Sequence, residues 1–199
     1  MPDKILIATT NQGKVQEFKE LVKELPVAFS SLLELSGIPE VVEDGATFEE
    51  NALKKARLIA QSTGMVTLAD DSGLCIDALG GRPGVHSARY AGENASDEEK
   101  YRLVLEEMLG VPDSERTARF ICALALVDPE NNEELFRGVC EGRITHEPRG
   151  TAGFGYDPIF YFEEAGCTFA EMTRESKNAV SHRGIALRQF AEFLRRLAK

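Results

Sequence analysis

The 199-residue sequence contains no apolar run approaching the roughly 20 residues of a membrane span, which argues against a membrane partner. It also lacks internal repeats, linkers and low-complexity segments, so a fibre or a tethered array is excluded. Met1-Pro2-Asp3-Lys4 passes directly into strand-like sequence without a secretory pattern. Cysteine is scarce: Cys75, Cys122, Cys140 and Cys167 form neither a CxxC pair nor a dense spacing. They read as reduced thiols of a cytoplasmic protein, two or three of them in the core. Positive charge is in short supply as well, with 23 Lys and Arg against 33 Asp and Glu and a net charge of −10. Such a surface repels duplex DNA and other polymeric nucleic acid. A single nucleotide is still admissible, because a few local Lys or Arg side chains and a divalent cation can reverse the field inside a cleft.

What the sequence does hold is the composition of an ordinary soluble globule, 43% hydrophobic and 28% charged. A chain of this length buries roughly 70% of its unfolded surface, enough for a core without disulfides or structural metal. One domain over 1–199 is expected. Ile5-Leu6-Ile7-Ala8 reads as a buried strand, followed by a polar loop and a helix marked by Val15, Phe18, Leu21, Val22 and Leu25 and stopped by Pro26. Thr47 with Glu50 three residues on predicts a capping box, and Gly64 a C-cap, for a second helix. Residues 65–69 read as a strand ending at Asp70-Asp71-Ser72-Gly73, where a turn is expected. Ser96 or Asp97 caps a helix that Gly110 ends. Thr117–Val127 and 135–144 read as an antiparallel hairpin around 128–134, 159–162 as a short strand and 185–197 as a last helix. Helices between the first strands and a hairpin afterwards predict an α/β fold built on a mixed sheet.

Polar residues gather where strands end, the usual place for ligands in open α/β sheets. Thr9-Thr10-Asn11-Gln12-Gly13-Lys14 brings hydroxyl, amide, backbone N–H and lysine to a helix N-terminus, an anion site without P-loop spacing. The competing reading is a simple N-capping turn with Lys14 in solvent. Asp70-Asp71 places two carboxylates side by side, which repel unless a cation or water lies between them, and their hard oxygens suit Mg²⁺. An Asp-rich turn capped by its own backbone is the bland counterpart. Glu40, Glu43, Asp44, Glu49 and Glu50 are mostly a solvated face near a helix dipole, with one member available to join Asp71 at a metal. Phe154-Gly155-Tyr156-Asp157-Pro158 sets aromatic rings among glycines, open to stacking on a base; Tyr156 reads better as core. Lys177, Asn178, Ser181, His182 and Arg183 form a donor cluster unusual in so acidic a chain, against the plain alternative of a solvated helical surface.

These strings, with Thr47-Phe48-x-Glu50-Asn51-Ala52 and Gly80-Gly81-x-Pro83-Gly84, resemble the inosine/xanthosine triphosphate pyrophosphatases in family order over nearly the whole chain. The resemblance implies an elongated mixed sheet with flanking helices, two lobes around a central cleft, and a homodimer. It further implies Mg²⁺-dependent hydrolysis of ITP, dITP and XTP to the monophosphate and pyrophosphate, which clears deaminated purines from the nucleotide pool. On it, Asp71 serves the metal and the attacking water, and Glu43, in competition with Glu40, is the second metal carboxylate. Thr9 to Lys14 take the phosphates, with Asn11 and Lys14 foremost. Ser72 contacts substrate, and Phe154, Gly155, Tyr156, Asp157, Lys177, His182 and Arg183 surround base and sugar. A hydrolase for modified pyrimidine triphosphates and a non-catalytic nucleotide sensor are the competing functions.

Overall fold

The computed structural model describes residues 2–23, 25 and 27–198. In chain order the elements are β1 (Lys4–Ala8), α1 (Gln12–Val22), β2 (Ala28–Ser31), α2 (Phe48–Thr63), β3 (Thr67–Ile76), α3 (Asp97–Glu107), β4 (Thr117–Val127) and β5 (Glu133–Ile144). They continue with β6 (Phe160–Phe162), β7 (Cys167–Thr168), α4 (Arg174–Val180) and α5 (His182–Leu197). The strands form one mixed sheet in the order β2-β1-β3-β4-β5-β6-β7. β1 runs parallel to both β2 and β3, while β6 is antiparallel to β5 and β7. This is the expected α/β class.

Local chemistry explains the boundaries. Asn11 caps α1 by accepting from the Lys14 N–H at 3.0 Å, and the helix ends at Val22, with the Leu25 N–H turning back onto the Val22 carbonyl. Pro26, the expected stop, lies outside the described residues. Thr47 caps α2 through the Glu50 N–H, but Glu50 returns its carboxylate to the Ala46 N–H at 2.7 Å, one residue upstream of the expected capping box. Gly64 closes the helix in the left-handed region at φ 67°. Ser96 and Glu99 form a true capping box on α3. Three elements lack a clear sequence pattern: β2 and β7 are short, and α4 is a mostly polar helix of seven residues.

The largest departure is β3. Asp70-Asp71-Ser72-Gly73 lies inside the strand instead of in a turn after it. Gly73 is what admits the continuation: a Cβ there would lie 2.3 Å from Ser87 Oγ and 2.5 Å from the Gly84 carbonyl oxygen. The same Ser87 hydroxyl accepts from the Leu74 N–H at 3.0 Å and donates to the Gly84 carbonyl at 2.6 Å.

The chain divides into two compact units: Met1–Asp71 with Cys122–Gly138 and Arg183–Lys199, and Ser72–Ile121 with Val139–His182. The core of the first joins Ile5, Ile7, Phe18, Leu68, Leu124 and Phe190; that of the second joins Leu74, Ile76, Val104, Phe120, Phe160 and Phe169. None of the four cysteines is in a disulfide; Cys122 and Cys140 are buried and Cys75 and Cys167 partly so. No helix among the described residues is long and apolar enough to cross a membrane.

Candidate active site

Each unit gathers one cluster of the expected residues. In the first unit, Thr9 is buried at the end of β1 and its Oγ1 accepts from the Asn11 N–H at 3.2 Å. Thr10, Asn11 and Gln12 are exposed, and Gly13 is half-buried. Lys14 is not solvated: its Nζ pairs with Asp70 Oδ1. Asp70 Oδ2 accepts from Arg183 Nε at 3.1 Å and from the Cys122 thiol at 3.1 Å. Arg183 Nη1 in turn pairs with Glu17 on α1. Lys14 and Glu17 are three residues apart and so share a helix face. Glu17 escaped the sequence reading; its one visible signal is a charge between Val15 and Phe18, both of which face the core.

Consecutive residues of a strand point to opposite faces, so Asp70 and Asp71 do not require the shared cation or water that their adjacency suggested. Asp71 Oδ2 accepts from Asn51 Nδ2 at 3.0 Å, and Asn51 Oδ1 accepts from the Gly45 N–H at 2.7 Å. Asn51 is fully buried on α2 and links Asp71 to the segment that carries Glu43. Glu43 pairs with Lys55, a second lysine the sequence reading passed over. Glu40 is exposed.

Opposite surroundings push the two carboxyls apart. Burial alone would raise the pKa of Asp70, but Arg183 and Lys14 outweigh it and hold that group well below the usual carboxylate range. Burial of Asp71 prevails instead: helped by the charge of Glu43 and opposed by Lys14, Lys55 and the Asn51 amide, it lifts the group from 3.8 to about 6. The Cys122 thiol, buried beside Asp70, is driven upward and stays protonated.

In the second unit, Ser72 is half-buried and Tyr156 is buried, its hydroxyl donating to the Ser87 carbonyl at 2.8 Å. Asp157 Oδ2 accepts from the Phe154 N–H at 2.9 Å and from Lys177 Nζ at 2.6 Å. Lys177, expected as a solvated cation in the plain alternative, is only 4% exposed and lies 4.7 Å from the centre of the Phe154 ring. Gly153 is obligatory at φ +77°, since a Cβ would meet Asp157 Oδ2 at 2.0 Å. His182 is buried and stacks on Phe120, with centroids 4.6 Å apart and planes at 9°.

A buried acid whose pKa is raised to about 6, with two lysines and a second carboxylate acting on it, can exchange a proton near neutral pH. The Ham1 family model matches residues 5–193. This chain belongs to the Ham1 family. It is 53% identical over 184 residues to the dITP/XTP pyrophosphatase of Geobacter sulfurreducens, covering 92% of each chain. The dITP/XTP pyrophosphatase of Halalkalibacterium halodurans is 49% identical over 189 residues, 95% of this chain and 97% of the relative. Among solved structures, a HAM1 protein from Coxiella burnetii is similar with a TM-score of 0.89 and 46% identity over 97% of this chain and 98% of its own. The Staphylococcus aureus Ham1 protein matches with a TM-score of 0.86 and 38% identity over 96% and 98%.

Proposed function

We propose that the chain hydrolyses dITP, ITP and XTP to the nucleoside monophosphate and pyrophosphate, keeping deaminated purines out of DNA and RNA. The observation that carries this is the Asp71 environment: a buried carboxyl held by Asn51, next to the charge of Glu43 and within reach of Lys14 and Lys55. Asp71 is positioned to take the proton of the attacking water, and its raised pKa suits a base working near neutrality.

The donor set suits Mg²⁺. Among the described residues no group of three or more His, Cys, Asp or Glu side chains forms a closed metal cage. Asp71 and Glu43 offer two hard carboxylates, the number expected when substrate phosphates complete the shell. Their interaction makes Glu43 a better second ligand than exposed Glu40. Bound there, Mg²⁺ supplies positive charge against the phosphate oxygens.

The remaining roles follow from side-chain chemistry. Lys14, the exposed Thr10, Asn11 and Gln12, and the Gly13 amide at the start of α1 take phosphate oxygens, Thr9 holding the turn; Ser72 adds a hydroxyl. Lys14 neutralises charge on the leaving pyrophosphate once it exchanges Asp70 for substrate. Phe154 offers a ring face to the base, with Gly155, Tyr156, Asp157 and Lys177 shaping that loop. Donors of His182 and Arg183, with loop amides, select a 6-oxo group, because a 6-amino group leaves them unpaired. Arg183 enters this role from its place between Asp70 and Glu17. A homodimer, on the family resemblance, and a cytoplasmic location, on the pattern of its cysteines, are part of the same proposal.

Pyrophosphate release across a panel of nucleoside triphosphates tests the proposal. Turnover concentrated on ITP, dITP and XTP is expected. Preference for modified pyrimidine triphosphates would replace the substrate class, and binding without turnover would make the chain a sensor.

A further inference from the structure

The Phe154 loop runs through two glycines in the left-handed region. Gly153 and Gly155 flank the ring with φ of +77° and +64°, and glycine contributes no side chain to fix the backbone. The placement of the ring then depends on what holds the backbone around it. Lys177 meets the ring itself, 4.7 Å from its centre, and two hydrogen bonds hold the backbone close by: Asp157 under the Phe154 N–H, and the Tyr156 hydroxyl on the Ser87 carbonyl. The third comes from a different element. Asp97, the first residue of α3, accepts from the Gly155 N–H through Oδ2 at 2.6 Å across 58 positions of sequence. Its Oδ1 accepts from Lys100 Nζ at 3.1 Å, one helical turn on at the surface of α3.

We propose that Asp97 is a positioning residue for the base: it fixes the Gly155 amide, and through it the Phe154 ring, so that α3 belongs to the substrate-specific half of the machinery. The proposal rests on the reading of Phe154 as the ring that stacks on the purine. A carboxylate accepting from a backbone N–H is a charge-assisted bond, stronger than the neutral kind and selective for one loop geometry. The competing account is that Asp97 merely places a negative charge at the N-terminus of α3, where such charges are favoured. Glu98 supplies the control, because it lies in the same first turn and pairs with Arg102 instead of the loop.

The test is steady-state hydrolysis of ITP by the full chain with Mg²⁺, together with inhibition by inorganic tripolyphosphate, which has phosphates but no base. Asp97→Ala is expected to raise KM for ITP roughly tenfold, the loss of one charge-assisted bond, with kcat nearly unchanged. The tripolyphosphate inhibition constant should stay the same. Asp97→Asn retains an oxygen that accepts from Gly155 and should recover most of the loss, while Glu98→Ala should leave KM unaltered. In a Phe154→Ala background, Asp97→Ala should add almost nothing, since the ring it places is gone. If Phe154→Ala raises KM and Asp97→Ala does not, the positioning role is wrong and the stacking role stands. If Phe154→Ala itself leaves KM unchanged, the stacking reading fails and takes this proposal with it. Equal weakening of ITP and tripolyphosphate by Asp97→Ala, or matching losses in Glu98→Ala, would assign Asp97 to the fold of α3 alone.

Discussion

Asp70 and Asp71 are neighbours on β3, yet their carboxyls are pushed in opposite directions because one faces Arg183 and Lys14 and the other is buried with Asn51 beside Glu43. The shift at Asp71, from 3.8 to about 6, has a thermodynamic consequence in the metal-free protein. The folded state holds that proton more tightly than the unfolded chain, so stability falls as pH rises from about 4 to about 6 and stays lower above it. A shift of this size corresponds to roughly 3 kcal/mol. Asp71→Asn removes the penalty. In chelator, its melting temperature should exceed that of the wild type at pH 8, and the gap should shrink towards pH 4.5. The same substitution should lower kcat by about 10²–10⁴-fold with Mg²⁺ present, the usual weight of an acid–base group. A variant that is both less stable at pH 8 and nearly fully active would contradict the place given to Asp71. The sequence showed the carboxylate pair but not what separates it. Lys14 reads as well in solvent as at a site, and Lys177 has a solvated helical surface as its plain alternative; only the packing of α1 and α4 shows Lys14 half-buried against Asp70 and Lys177 buried against Asp157. Asn51 stood in a recognised string without a role, because a hydrogen bond across 20 residues leaves no local pattern.

At the level of elements, periodicity located α1, α2, α3 and α5, with caps marking the first three, because apolar residues such as Phe18, Ala56, Val104 and Phe190 turn inward from them. The same reasoning ended β3 too early. Charge and glycine together signal a turn locally, but Asp70 and Asp71 are compensated by partners on α1, α2 and α5, and Gly73 is required by the close approach of Ser87 and Gly84. Tertiary contacts thus override the local preference. Gly73→Ala tests this directly. The new methyl meets a backbone carbonyl that cannot swing away, so overpacking should cost roughly 1–3 kcal/mol and lower the melting temperature. Removing the other obstacle with Ser87→Ala should not restore the loss, because the Gly84 carbonyl remains. Full stability of Gly73→Ala would mean that β3 is not held against the 84–87 segment as described.

Taken whole, the molecule is an anion that handles an anion. A net charge of −10 disfavours a polyanionic partner, while Lys14, Lys55, Lys177 and Arg183 are each drawn into ion pairs with carboxylates inside the two units. Class and family were legible from strings spread along the chain; the ion-pair network was not, since it joins residues as distant as Glu17 and Arg183. The central claim is hydrolysis between the α- and β-phosphates by water that Asp71 deprotonates, and the products report it most directly. Turnover of ITP with Mg²⁺ in ¹⁸O-labelled water, followed by phosphorus NMR and mass spectrometry, should give inosine monophosphate and pyrophosphate, with the label in the monophosphate. Inosine diphosphate and orthophosphate as products, or the label in pyrophosphate, would contradict it.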